Sequence, residues 1–103
     1  MRYNYCMLVI HRLLWDTWNT THIARHNVTP DEVEEICQME PQAEEANKGR
    51  LRVTGITSKG RIISAFLDPE PEEGVYYTVT ARDASKKERQ AYRAWVNGEE
   101  KVA

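Results

Sequence analysis

Cysteine is scarce in this 103-residue chain: only Cys6 and Cys37 are present. Nothing resembles a disulfide framework, and two free thiols suit a reducing compartment. Long apolar runs are missing as well. No stretch approaches the ~20 residues of a membrane span. The longest candidate, residues 6–10, is shorter than the roughly 7–15 apolar residues of a signal-peptide core. The expectation is a cytoplasmic protein without membrane contact. Positive charge is not in excess either: 14 Lys/Arg against 16 Asp/Glu leave −2 at pH 7, which taken alone argues against a nucleic-acid binder. Metal-ligand patterns are absent too. His22 and His26 are four apart and share a helical face, but no glutamate completes an HExxH pattern and no Cys/His set offers a third ligand. Neither a metal nor a cofactor is expected. There is no internal repeat and no linker.

What is present is a globular composition. Hydrophobic residues make up 41%, ordinary for a folded chain and too many for a disordered one. One domain over residues 1–103 is expected, with its core at about residues 8–97 and frayed ends; this length can hold a core without disulfides or metals. Charge is unevenly spread. Residues 1–47 carry three Lys/Arg and eight Asp/Glu; residues 48–103 carry eleven and eight. A polyanion feels a local face within a Debye length of about 8 Å, so the second half permits a basic surface.

That surface centres on residues 77–95. Val75, Tyr77, Val79 and Ala81 alternate with Tyr76, Thr78, Thr80 and Arg82, the period of a two-faced strand. Ser85 then stands three residues before Glu88, a capping box in which each side chain meets an open backbone N–H of the other's turn. Ala91, Tyr92, Trp95 and Val96 give the following helix an apolar face. Arg82, Lys86, Lys87, Arg89 and Arg93 place five cations within twelve residues, against Asp83 and Glu88. A strand-to-helix junction so charged is where an anionic ligand is to be sought.

Upstream, residues 8–15 read as an apolar strand ending at Leu13, Leu14 and Trp15, after which Asp16 caps a helix over residues 17–26. Trp15 and Trp18 are expected in the core, and Asn27 suits the left-handed position after the helix. Thr29, Pro30, Asp31 and Glu32 open a second helix with a capping box, a proline in the first turn and acids at the positive end of the dipole. Val33, Ile36 and Cys37 form its buried stripe, and it ends before Pro41. Residues 42–48 are polar and acidic and read as a surface loop. Residues 51–57 and 61–67 are two strands joined by Ser58, Lys59 and Gly60, and residues 68–74 form a second, longer hairpin loop. The class is α+β: a three-strand antiparallel meander plus an N-terminal strand, two helices before the meander and one after it. The helices would cover one face and leave the other partly open.

The ordered pieces WD…HIARHNVTPDEVEEI, RLRVTGITSKGRIISAF and YTVTARDASKKERQAY, from about Trp15 to Trp95, resemble the BrnT toxins. Those are RelE-like ribonucleases of type II toxin–antitoxin pairs. The resemblance implies a RelE-like sheet with flanking helices and metal-independent RNA cleavage that inhibits translation. It also implies neutralisation by a cognate BrnA-like antitoxin, which alone contacts promoter DNA. Two features depart from the family's habit: the mildly acidic overall charge and the glutamates of residues 69–73 near the basic strand.

Such cleavage needs a base for the 2′-hydroxyl, positive charge for the phosphorane-like transition state and a proton donor for the leaving oxygen. Arg52, Arg61 and Arg82 each fall on a predicted strand, and arginine's planar fork suits phosphate oxygens. They are catalytic candidates if they converge; otherwise they are solvated arginines at strand ends. His26 is the acid–base candidate because histidine as a class spans neutrality; the alternative for His22 and His26 is to hold a short helix on the sheet. Lys86 and Lys87, placed where the helix dipole disfavours cations, join Arg89 and Tyr92 as RNA-binding candidates. The alternative is solvated lysines, and for Tyr92 a core position beside Trp95. A catalytically silent relative acting as a binding module remains open, as does a structural partner protein. An arginine cluster clear of the 68–73 loop would favour the ribonuclease; a basic face covered by that loop would favour the silent relative.

Overall fold

The computed structural model describes residues 10–98; Cys6 and the reading of residues 1–9 lie outside them. The elements follow in the order β1 (Arg12–Leu14), α1 (Thr17–Ala24), α2 (Pro30–Gln38), β2 (Gln42–Glu45), β3 (Leu51–Ile56), β4 (Ile62–Pro69), β5 (Val75–Asp83) and α3 (Lys86–Val96). They form one sheet in the order β1-β5-β4-β3-β2. All neighbours are antiparallel except β1, which runs parallel to β5 with Leu13 opposite Tyr76.

All three helices begin with capping boxes. Asp16 exchanges bonds with Asn19, Thr29 with Glu32 and Ser85 with Glu88. Each box satisfies backbone N–H groups that the first turn leaves open. The box at α1 was not expected, because Asn19 is not the usual Glu or Gln. Asn19 does more than cap: fully buried, it donates to the carbonyls of Leu14 (2.9 Å) and Thr78 (3.0 Å), tying α1 to β1 and β5. Asn27 takes the left-handed conformation as expected, with φ 59°.

Helices α1 and α2 pack on one face of the sheet around Ile23, Val28, Val33 and Ile36, against Ala43, Val53, Ile63, Ala65, Leu67 and Ala81. The approach of α2 is close. A Cβ on Gly55 would stand 2.9 Å from that of Ile36, so only glycine fits there. Helix α3 lies on the opposite face, where Tyr92 and Trp95 pack on Ile56, Ile62 and Ala84.

Four sequence expectations are corrected. The helices do not share one face: β5 delivers the chain to the far side of the sheet, and α3 covers only part of that side. Residues 42–45 are not loop but the edge strand β2, paired with β3 so that Gln42 and Ala43 are buried. Strict alternation along β5 fails, since Phe66 pairs with Thr80 but Leu67 with Thr78, and Val79 is the extra residue of a bulge. Thr78 therefore turns inward, fully buried, while Val79 is only half-buried. Finally, Trp18 is 58% exposed and Val96 55%, so neither belongs to the core. Trp15 is half-buried instead, its indole N–H donating to Glu34 Oε2 at 2.9 Å.

Candidate functional site

On the face that carries α3, register sets two neighbouring cross-strand rows. One is Gln42–Thr54–Ser64–Arg82; the other is Glu44–Arg52–Phe66–Thr80. Arg52 and Arg82 thus share a face, as convergence requires. Glu88, projecting from the first turn of α3, joins them. Arg82 grips its carboxylate with both nitrogens, Nη1 to Oε1 at 2.9 Å and Nη2 to Oε2 at 3.1 Å. Arg52 Nη1 stands 4.0 Å from Glu88 Oε2 while its Nη2 donates to Glu44 Oε1 at 2.8 Å. Ser64 Oγ donates to Glu88 Oε1 at 2.9 Å and lies 2.9 Å from Thr54 Oγ1. The Arg82 guanidinium also sits 5.2 Å from the centre of the Phe66 ring, a cation–π contact.

Burial would push the Glu88 carboxyl up. The Arg82 fork, the Ser85 backbone N–H, the Ser64 hydroxyl and the Arg82 charge outweigh it and hold the group at about 2. Glu88 is therefore ionised at neutral pH and too weak a base to accept a 2′-hydroxyl proton. It is an internal anion resting where two arginines could meet a phosphate. Arg52 keeps one buried N–H, on Nε, without a partner.

Arg61 stands apart from this cluster. Its parity along the chain is that of Ile63 and Ala65, on the α1–α2 face. There Nε donates to Asp83 Oδ1 at 2.8 Å, Nη1 to both Glu32 oxygens at 3.1 Å and to the Asn27 carbonyl, and Nη2 to the His26 carbonyl at 3.2 Å. It clamps the α1–α2 turn to the end of β5. His26 meets it through the backbone, and its ring lies edge-on to His22 at 5.8 Å. The two groupings are nevertheless neighbours, because Asp83, bound by Arg61, follows Arg82 and its carbonyl accepts from Arg82 Nη1 at 3.1 Å.

Lys86 and Lys87 are exposed on the first turn of α3, and Arg89 Nη1 donates to the Ala84 carbonyl at 2.8 Å. Tyr92 is only 7% exposed and sits 6.1 Å from Trp95. Burial pushes its phenol up, opposed by a hydrogen bond with the Ile56 backbone. Its place is the small core under α3. The 68–73 loop does not cover the arginines: Asp68 binds Arg50 at 2.9 Å and Glu72 binds Arg12 at 3.3 Å. Among the described residues no three His, Cys, Asp or Glu side chains gather as a metal site, and no helix is long and apolar enough to cross a membrane. Glu88, Ser64 and Glu44 are the residues that sequence reasoning missed. Glu88 signalled itself only as a cap; the other two needed the strand register.

No family model and no curated protein matches the chain. Among solved structures it is similar to the crystal structure of the ribonuclease toxin BrnT of Brucella abortus. The TM-score is 0.59 and the identity 20%, over 73% of this chain and 97% of that one. By that likeness the α+β arrangement of sheet and helices described above is a BrnT-like fold.

Proposed function

We propose that the chain is the toxin of a type II toxin–antitoxin pair, an endoribonuclease that acts in the cytoplasm without a metal and is neutralised by a cognate BrnA-like antitoxin. The observation that carries this reading is the meeting of Arg52 and Arg82 on the partly open sheet face of a BrnT-like fold, where both turn toward one carboxylate. In the reaction the RNA phosphate displaces Glu88 from Arg82. The guanidinium fork then stabilises the charge that builds on the phosphorane oxygens, and Arg52 adds a second charge. Arg61 acts at one remove, holding to the end of β5 the turn that carries His26, the candidate for proton transfer. Lys86, Lys87 and Arg89 supply phosphate contacts that position the strand. Tyr92 supports α3 from beneath rather than touching RNA.

A second reading draws on the same pairing. Arg52 and Arg82 are both already matched by Glu44 and Glu88, as in a catalytically silent relative whose polar face is structural. Two measurements separate them. Under the toxin reading, induction of the chain slows growth and co-expression of the adjacent antitoxin frame restores it. Purified protein also cleaves RNA in excess EDTA. Unchanged growth with soluble, folded protein selects the silent relative, and cleavage that needs added zinc or magnesium removes the metal-independent mechanism.

A further inference from the structure

Helix α1 and the turn after it carry an aromatic row, of which the ribonuclease reading uses only His26. Trp18 lies parallel to His22, with ring centres 5.0 Å apart and planes within 5°, and His26 continues the row edge-on at 5.8 Å. Trp18 is 58% exposed. An indole with one face on an imidazole and more than half its surface in water is oriented but uncovered, which suits a stacking partner.

Charge on this segment is compatible with an anion-bearing strand. Residues 17–27 contain no carboxylate, in a chain with 16 of them, and add Arg25 to the two imidazoles. Position narrows the choice. The row ends at His26, whose carbonyl is held by Arg61; Arg61 holds Asp83, and Asp83 adjoins Arg82. The aromatic row and the arginine cluster are thus joined by consecutive contacts around the same end of β5. Because α1 and Arg82 lie on opposite faces of the sheet, the strand must pass round the end of β5, beyond which the eight residues of α1 offer about 12 Å for its bases.

We propose that Trp18 and His22, flanked by Arg25 and His26, form a stacking platform for the bases of single-stranded RNA whose reacting phosphate lies at Arg82. This deepens the ribonuclease reading and rests on it. The platform contributes base stacking, tolerant of sequence, while the arginines and lysines contribute the salt-sensitive phosphate contacts.

The test is binding of a fluorescent, short single-stranded oligoribonucleotide carrying 2′-O-methyl riboses, which cannot be cleaved through the 2′-hydroxyl. Trp18→Ala is expected to weaken binding by about five- to a hundredfold, Trp18→Phe by much less. The slope of log affinity against log salt should stay that of the parent, since no phosphate contact is removed. His22→Ala should weaken binding in the same direction, and an abasic strand of equal length should not distinguish parent from variants. Parent binding with unchanged affinity in Trp18→Ala and His22→Ala would overturn the platform and leave the ribonuclease reading standing. So would an equal loss on the abasic strand, or a loss of antitoxin binding alone, which would assign the row to a protein interface. No binding of any RNA by the parent chain would overturn both.

Discussion

Glu88 has three tasks in one side chain: it closes the capping box of α3, accepts from Ser64 and neutralises Arg82. Its folded-state value of about 2, against 4.5 unperturbed, means that its ionised form stabilises the fold above pH 4.5. That contribution is lost as pH falls through about 2. Glu88→Gln keeps the capping geometry but loses the charge, and should cost about 2–3 kcal/mol at pH 7, the scale of hydrogen bonds to charged groups. The difference from the parent in urea melts should shrink between pH 4.5 and 2. The same variant frees the Arg82 fork, so affinity for RNA should rise; a fall would mean that Glu88 itself touches the substrate. Cys37 gives a simpler expectation. Burial, helped by the charge of Glu34, pushes its thiol up to about 12, so at pH 8 it stays a thiol and unreactive. Mass mapping after iodoacetamide should find Cys37 unmodified in the folded chain and modified in denaturant. At this scale the N-caps and the boxes of α2 and α3 were legible, because a capping box is written within four consecutive residues, whereas the Asp16–Asn19 box lacks the usual Glu or Gln. The Arg82–Glu88 fork was not, because it depends on how α3 leaves the strand.

At the scale of elements, the strands with apolar residues on a core face were legible, and β2 was not. QAEE has no apolar alternation to read; Gln42 and Ala43 are buried by pairing with β3 and by what lies over it, an edge-strand position that propensity does not encode. The bulge at Val79 was equally hidden, since Thr78 and Val79 alone do not say which of them turns inward. Convergence of Arg52 and Arg82 could be guessed from strand placement, whereas the departure of Arg61 follows from its odd parity with Ile63 and Ala65. The contact of α2 with β3 yields a prediction here. Gly55→Ala would force a methyl to 2.9 Å from the Ile36 Cβ, and should destabilise the protein by about 1–3 kcal/mol through overpacking, measured by chemical denaturation. A stability equal to the parent would mean that α2 can slide away from the sheet.

For the whole molecule, the two faces of the sheet divide the labour. One carries α1, α2 and the larger apolar core; the other carries α3, a small core and the polar rows that lead to Arg82. The overall charge of −2 concealed this, because the acids of α2 and the 68–73 loop lie away from the arginine cluster or pair with other arginines. Within the α3 face the account predicts that chemistry and packing separate. Trp95→Ala should cost several kcal/mol through loss of the small core without a specific effect on cleavage by what remains folded. Arg82→Ala addresses the central claim most directly. It strips the two-pronged partner from a Glu88 carboxylate that is only 13% exposed, so it should lower stability by about 1.5–3 kcal/mol, the scale of hydrogen bonds to a charged group. Single-turnover RNA cleavage in EDTA should fall by about 10²–10³-fold, the scale of one preorganised transition-state donor. Cleavage at the parent rate by folded Arg82→Ala would contradict the account, leaving the arginine as a structural partner of Glu88 and the catalytic site elsewhere.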